Sequence, residues 1–258
     1  MSFIGSIGLT KMTASSHCNE TPPWRQAGVR SYGSRPAFYQ IIAVCCALFC
    51  ALFLGAASPQ LARAETPLHL VALGDSLTAG YGLPAKDGFV PQLKAALAAQ
   101  GIPGINVEIA DAGVSGDTAS DGLARLDWSV PEGTDAVIVE LGANDMLRGT
   151  DPQVTRNALD AILARLAQRH IAIMLCGMRA APNLGADYGH AFERIYPQLA
   201  EKYGAVVYPF FLDGVAADRT LTQPDGLHPN AAGVAVMVRR ILPTVQELIA
   251  RARAQKQS

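Results

Sequence analysis

The stretch Val71-Ala72-Leu73-Gly74-Asp75-Ser76-Leu77-Thr78-Ala79-Gly80 decides how the rest of the chain is interpreted. Residues 68–73 form a short apolar run, which predicts a buried strand. A sharp Gly-Asp-Ser turn follows, and an open α/β sheet places its ligand site at turns beyond the carboxyl ends of its strands. Ser76 is therefore either a nucleophile whose hydroxyl faces a crevice or a residue that only caps the turn.

The patterning beyond this stretch alternates between strands and helices. Apolar runs predict further strands at 106–110, 136–141, 171–176 and 206–208. Helical spacing predicts helices at 89–100, after Thr118 to about residue 128, and at 153–169, 190–203 and 230–252, the last interrupted or kinked at Pro243. Helices between continuous apolar strands predict an α/β fold, a three-layer α/β/α sandwich whose five-stranded parallel sheet is doubly wound and covered on both faces.

Composition limits the classes of function. The 258 residues are 50% hydrophobic and carry a net charge of -1, which fits one sizeable core plus a leader and argues against a dedicated nucleic-acid binder. Cys176 is the one cysteine beyond the first fifth of the chain, and it is interpreted as a buried core thiol. The cysteines and histidines lack the spacing of a structural zinc site.

The first 64 residues have the order of a secretory signal peptide. A basic, Gly- and Ser-rich region precedes a nearly pure apolar run at 41–57, and Ser58-Pro59 and Ala62-Arg63-Ala64 follow. Cleavage after Ala64 is predicted, which leaves residues 65–258 as the folded domain and makes the protein periplasmic or secreted. The alternative is an uncleaved membrane anchor, although an apolar run of about 17 residues is at the short limit for a span.

Polar groups follow three of the predicted strands, and a further polar segment precedes the last helix. A parallel sheet brings the three turns to the same edge. An aspartate and a histidine three residues apart can hydrogen-bond across a tight turn, and an oriented histidine is the usual base for a serine nucleophile. The segments are Gly74-Asp75-Ser76, Ser115-Gly116-Asp117, Gly142-Ala143-Asn144-Asp145 and Pro224-Asp225-Gly226-Leu227-His228-Pro229-Asn230.

Each of these residues also has a purely structural interpretation. Asn144 and Gly116 suit turns with unusual backbone angles, Asp225 suits an Asx turn, and His228 suits a helix entry. Their joint occurrence at strand ends favours catalysis. Asp75, although adjacent to Ser76, is interpreted as structural, with its carboxylate holding the loops through hydrogen bonds.

The four segments match the sequence blocks of the GDSL, or SGNH, hydrolases. Over residues 68–250 the chain resembles the bacterial branch with thioesterase I/lysophospholipase L1 and periplasmic arylesterases, including Val139-Glu140-Leu141-Gly142. The resemblance implies a flavodoxin-like SGNH fold, with Ser76 as nucleophile, His228 as general base and Asp225 as its orienting partner. It also implies an oxyanion hole made by the N–H groups of Ser76 and Gly116 and the side chain of Asn144, with no metal or cofactor.

The resemblance predicts a serine esterase that acts on short-chain and aryl esters. Lysophospholipids and thioesters are further candidate substrates of the same chemistry. The expected partner is a small-molecule or lipid ester, with membrane contact only through the leader or a lipid substrate, and the enzyme is expected to be monomeric. Two alternatives remain open: a carbohydrate O-acyl esterase of the same fold, to which Tyr81 and Tyr188 would contribute, and a non-catalytic nucleotide- or phosphate-binding domain. Against the latter, the first turn lacks the glycine pattern of a phosphate-binding loop.

Other charged side chains lie near the predicted turns or at the ends of strands and helices. Arg148 is interpreted as a solvated loop charge and Arg179 as a possible pocket residue, while His69, His170 and His190 are expected at the surface.

Overall fold

Five strands form one parallel sheet in the computed structural model, which describes residues 67–100 and 106–257. The strands are β1 (Leu68–Gly74), β2 (Val107–Gly113), β3 (Ala136–Glu140), β4 (Ala172–Cys176) and β5 (Val206–Tyr208). Their order in the sheet is β2-β1-β3-β4-β5. In this order the chain reverses its direction of winding beside β1, and a doubly wound sheet opens its ligand crevice at that reversal.

Helices cover both faces of the sheet, which confirms the predicted three-layer sandwich. Two of them, α2 and α9, pack on each other on one face, while α3, α6 and α8 form the layer on the other. Single-turn 3-10 helices occur at Ala85–Asp87 and Pro182–Leu184. The helices are α1 (Ser76–Ala79), α2 (Phe89–Ala99), α3 (Ala119–Ala124), α4 (Leu126–Ser129), α5 (Ala143–Leu147), α6 (Pro152–Gln168), α7 (Ala186–Glu193), α8 (Ile195–Tyr203) and α9 (Ala231–Gln257).

The core lies between the sheet and these layers. Every residue of β3 and β4 is buried, as expected for central parallel strands covered on both sides. Helix α6 buries one stripe, including Leu159, Ile162 and Leu166, at the spacing of three to four residues that places side chains on one helix face. The described residues together form one compact unit.

Several element boundaries differ from those expected from sequence. Strand β2 continues to Gly113, because its backbone pairs with β1 up to Gly74 although only Ile109 of the strand is buried. The helix expected to end near residue 128 breaks at Arg125, and the helix expected at 190–203 is two helices that meet at Arg194. Helix α9 is not interrupted at Pro243, since this proline lies on the exposed side and buried residues such as Val238 and Val245 follow one face past it.

A close backbone approach fixes where the first turn lies. Gly113, the last residue of β2, lies against the backbone of Ala79, the last residue of α1, and a side chain at position 113 would overlap it. The backbone N–H of Val114 also donates to the carbonyl of Gly74 at 3.0 Å. The turns after β1 and β2 are therefore packed against each other.

The leader predictions lie outside the described residues. None of the helices in the described ranges combines the length and the apolar character needed to cross a bilayer. Cys176 is a free, buried thiol in β4, as its sequence context predicts, and burial raises its pKa well above the usual range.

Candidate active site

Ser76 is the first residue of a one-turn helix that begins directly after β1. The carboxylate of Asp75 caps this helix by accepting a hydrogen bond from the N–H of Leu77 at 2.9 Å. Gly80 ends the helix in a left-handed conformation, φ 70°, and donates its N–H to the carbonyl of Ser76. The half-buried serine is thus held at the carboxyl edge of the sheet.

Asp225 and His228 lie in a tight turn just before α9. An antiparallel bridge between Thr222 and Pro229 closes the turn, together with a 2.7 Å hydrogen bond from the N–H of Gln223 to the carbonyl of His228. The left-handed conformation of the residue after Asp225, glycine at φ 71°, lets the chain fold back. The aspartate is therefore brought beside the imidazole three residues later.

Three side chains form a continuous hydrogen-bonded line at the carboxyl edge of the sheet. Nε2 of His228 lies 2.9 Å from Oγ of Ser76, and Nδ1 of His228 lies 2.6 Å from Oδ2 of Asp225. The hydrogen bond with His228 lowers the pKa of Asp225 to about 2, and the N–H of Leu227 acts in the same direction. An ionised Asp225 accepts a hydrogen bond from the N–H at Nδ1 of His228. Nε2 then carries no hydrogen and can accept a hydrogen bond from the serine hydroxyl. The ring of Tyr81 lies beside the imidazole, with ring centres 4.7 Å apart.

The side-chain amide of Asn144 connects the three turns at the sheet edge. Its Nδ2 donates to Oδ2 of Asp75 at 3.1 Å and to the carbonyl of Asp117 at 3.0 Å. Gly116 precedes Asp117, and its carbonyl accepts a 2.7 Å hydrogen bond from Arg148. Within residues 67–100 and 106–257, no acceptor is found for the backbone N–H of Ser76 or of Gly116. The five residues predicted for the site thus lie on turns that the structure brings together.

Arg125 links the strand ends to the Gly116 turn, a role that the sequence did not reveal. Its guanidinium donates to the carbonyls of Gly74 and Ala112, each at 2.8 Å, and to Oδ2 of Asp117 at 2.6 Å. One cation therefore fixes the ends of β1 and β2 relative to Asp117. An arginine within an amphipathic segment gives no sequence signal for this function.

A buried pair of carboxyl groups, Asp75 and Glu140, lies beneath the nucleophile. The sequence indicated a structural role for Asp75 but gave no role to Glu140. Oε2 of Glu140 accepts hydrogen bonds from the N–H of Asp75 at 3.2 Å and from Oγ1 of Thr78 at 2.7 Å. Burial raises the pKa of Asp75 to about 6, against the hydrogen bonds it accepts. Burial and the charge of Asp75 raise the pKa of Glu140 well above its usual range, so Glu140 retains its proton.

The remaining predicted positions divide between surface and site. His69, His170 and His190 are exposed, as expected. Arg179 is exposed with its guanidinium over the ring of Phe210, whereas Arg148, expected to be only solvated, holds the Gly116 turn. Among the described residues, acidic, histidine and cysteine side chains form no cluster suited to a metal ion.

Comparison with known proteins identifies the family. Residues 72–236 match the model of the GDSL-like lipase/acylhydrolase family. Esterase TesA of Pseudomonas aeruginosa is 35% identical over 191 residues, covering 74% of this chain and 92% of TesA. Thioesterase 1/protease 1/lysophospholipase L1 of Escherichia coli K12 is 36% identical over 180 residues, covering 69% and 82%.

A solved structure extends the comparison to the fold. The crystal structure of AlinE4, an esterase of the SGNH-hydrolase family, is 45% identical, with a TM-score of 0.59 over 70% of this chain and 96% of AlinE4. The chain therefore belongs to the GDSL-like lipase/acylhydrolase family, and its function is that of a serine esterase.

The neutral state of Glu140 gives a prediction for stability. In the unfolded chain Glu140 loses its proton near pH 4.5, whereas in the folded chain it retains the proton to higher pH. Folding therefore takes up a proton, and the free energy of unfolding of the parent falls as the pH rises above about 4.5. Glu140→Gln removes this dependence. The difference in free energy of unfolding between the parent and this variant should therefore shrink from pH 5 to pH 8, by at most about 1.4 kcal/mol per pH unit.

Urea unfolding of both proteins at several pH values measures this difference. Glu132→Gln is the matched control, because the Glu132 carboxylate is almost fully exposed and should give a difference independent of pH. A difference between Glu140→Gln and the parent that stays constant over the same range would show that Glu140 is ionised in the folded protein.

Proposed function

We propose that the chain hydrolyses carboxylic esters through an acyl intermediate on Ser76, with His228 as general base and Asp225 as its positioning residue. The observation that carries this proposal is the line of hydrogen bonds from Asp225 to His228 to Ser76, at 2.6 and 2.9 Å. A serine hydroxyl is a weak nucleophile until a base accepts its proton, and this geometry supplies the base.

In the first half of the reaction Oγ of Ser76 forms a bond to the ester carbonyl carbon while Nε2 of His228 takes the hydroxyl proton. The carbonyl electron pair moves to oxygen and gives a tetrahedral oxyanion. When that intermediate collapses, the bond to the leaving oxygen breaks and His228 returns the proton to the departing alcohol. The product is acyl-Ser76 and free alcohol, and Asp225 stabilises the imidazolium in between.

In the second half water takes the place of the alcohol. His228 accepts a proton from water, the hydroxide adds to the acyl carbon, and collapse releases the carboxylic acid and returns the proton to Oγ of Ser76. The N–H groups of Ser76 and Gly116 and the amide of Asn144 are the proposed donors to the oxyanion in both halves. All of these groups belong to one chain, and the proposed steps use neither a metal nor a cofactor.

The surroundings of the turns support an apolar acyl or aryl group in the substrate. Four exposed apolar side chains lie within five positions of a proposed site residue: Tyr81, Val114, Leu147 and Leu227, which are 53%, 41%, 52% and 51% exposed. Apolar side chains at the edge of a crevice favour a substrate that buries hydrocarbon there. Short-chain and aryl esters, lysophospholipids and thioesters share this chemistry.

The proposed nucleophile and base are tested together. Ser76→Ala and His228→Ala should each lower kcat for p-nitrophenyl acetate by about 10³-fold or more, because the acyl-enzyme no longer forms. His190→Ala, at an exposed histidine on α7, should keep the parent rate. A fluorophosphonate should label the parent at Ser76 and leave Ser76→Ala unlabelled.

Parent-like turnover by Ser76→Ala would overturn the proposed mechanism. A parent that the fluorophosphonate does not label would instead favour the non-catalytic binding domain.

The four exposed apolar side chains near the site give a prediction for substrate choice. Leu147→Ser and Leu227→Ser should raise KM for p-nitrophenyl octanoate by about 3- to 10-fold and change KM for the acetate little, since each buried methylene contributes about 0.8 kcal/mol. Val207→Ser, on β5, is the matched control. Lysophosphatidylcholine and an acyl thioester complete the substrate series. An unchanged ratio of the KM for the octanoate to the KM for the acetate in both variants would exclude Leu147 and Leu227 from the acyl site.

We also propose that the enzyme is exported, from the order of residues 1–64. The mature protein should begin at Glu65, as N-terminal sequencing of the periplasmic fraction would show, and Ala64→Arg should block this cleavage. Recovery of the parent chain from the membrane fraction with residues 41–57 retained would favour the uncleaved anchor.

A further inference from the structure

Both hydrogens of the Asn144 side-chain amide are engaged before any substrate binds. One is donated to Oδ2 of Asp75 at 3.1 Å and the other to the carbonyl of Asp117 at 3.0 Å. Two acceptors on the Nδ2 side fix which way the amide faces, because a rotated amide would point its own oxygen at both of them. The amide is therefore oriented, but it has no hydrogen to spare for an oxyanion.

We propose that Asp75 is a positioning residue, whose carboxylate holds the amide of Asn144 in the orientation that presents an N–H to the oxyanion formed at Ser76. This inference rests on the proposed acyl-Ser76 chemistry and assigns a role in it to a side chain that does not touch the substrate.

The two hydrogen bonds donated by the Asn144 amide differ in strength, and the weaker one can break when an oxyanion forms. Asp75 is fully buried, and its other oxygen is fixed by the N–H of Leu77. A carboxylate acceptor also binds an N–H roughly twice as strongly as a neutral carbonyl does. The carbonyl of Asp117 is the weaker partner, on a half-buried turn. The hydrogen donated to Asp117 is thus the one that the oxyanion takes over, while the bond to Asp75 persists.

The charge of Asp75 depends on its buried neighbours. Glu140 lies beneath it at the end of β3, His228 faces it from the turn before α9, and the Tyr196 hydroxyl of α8 is close enough to sense its charge. Glu140 takes the proton of the pair, so Asp75 is the member that ionises, and the N–H groups it accepts favour that ionised form. A neutral Glu140 beneath an anionic Asp75 is the state in which Asn144 is held.

A double-mutant cycle separates positioning from a merely structural role. In Asp75→Asn the new Oδ1 still caps the N–H of Leu77, but the new amide then faces the amide of Asn144 and holds it no longer. We expect kcat for p-nitrophenyl butyrate to fall about 10- to 100-fold with KM within about threefold. Asn144→Ala should lower kcat about 10²- to 10³-fold. Because both changes act through one donor, adding Asp75→Asn to Asn144→Ala should lower kcat less than threefold further.

Thr78→Val is the matched control for damage to the nucleophile turn. It breaks a buried hydrogen bond to Glu140 in the same one-turn helix without touching Asn144. Its effect on kcat should multiply with that of Asn144→Ala. An Asp75→Asn effect that multiplies in the same way, or an increase in kcat on Asp75→Asn, would overturn the inference. Fluorophosphonate labelling of the parent separates failure of this inference from failure of the proposed function. If the parent is not labelled, the proposed function fails. If Ser76 is labelled, a contrary result of the cycle overturns only the role of Asp75.

A measurement on the side chain itself covers the case in which Asp75→Asn does not fold. In the His228→Ala background, where the imidazole cannot titrate, the side-chain amide resonances of Asn144 in a nitrogen–proton correlation spectrum should shift with pH. The midpoint should coincide with the titration of the Asp75 carboxyl carbon, which burial moves above the ordinary aspartate range. Resonances of Asn144 that stay fixed across the pH range in which the Asp75 carboxyl carbon titrates would contradict the hold by Asp75.

Discussion

One hydrogen bond joins the two ends of the folded domain, and the chemistry of the protein depends on it. Oγ of Ser76 and Nε2 of His228 belong to residues 152 positions apart and lie 2.9 Å from each other. The winding of the sheet makes this possible, because β1 and β3 lie side by side while the chain after β5 returns to their carboxyl ends. A parallel sheet thus concentrates functional groups at one edge, above a buried core.

Side chains beneath this edge help to hold its turns in place. Arg125 ties the ends of β1 and β2, and the buried pair of Asp75 and Glu140 ties the nucleophile turn to β3. Burying two carboxyl groups side by side is costly unless one stays protonated and the other is well solvated by N–H donors. Burial raises the pKa of Glu140 well above its usual range, and N–H groups of Leu77 and Asn144 donate to the Asp75 carboxylate. The arrangement fixes the orientation of the groups around Ser76.

The architecture, and the polar side chains that meet at the edge of the sheet, could be predicted from sequence for a definite physical reason. Continuous apolar strands, helical periodicity and small-residue turns are local signals, and the Gly-Asp-Ser and Asp-Gly-Leu-His segments match a known family. The supporting residues could not be predicted, because a contact such as that between Arg148 and the carbonyl of Gly116 depends on tertiary packing. The same applies to the length of β2, which backbone pairing sets although only Ile109 of the strand is buried.

The most direct test of the account is to isolate the covalent intermediate. The enzyme would be mixed with p-nitrophenyl butyrate, quenched in acid within milliseconds, digested and analysed by mass spectrometry. The account predicts one butyryl group per chain, on the peptide that contains Ser76, formed and lost at rates consistent with kcat. Turnover with no acylated peptide, or with the acyl group on another residue, would contradict it.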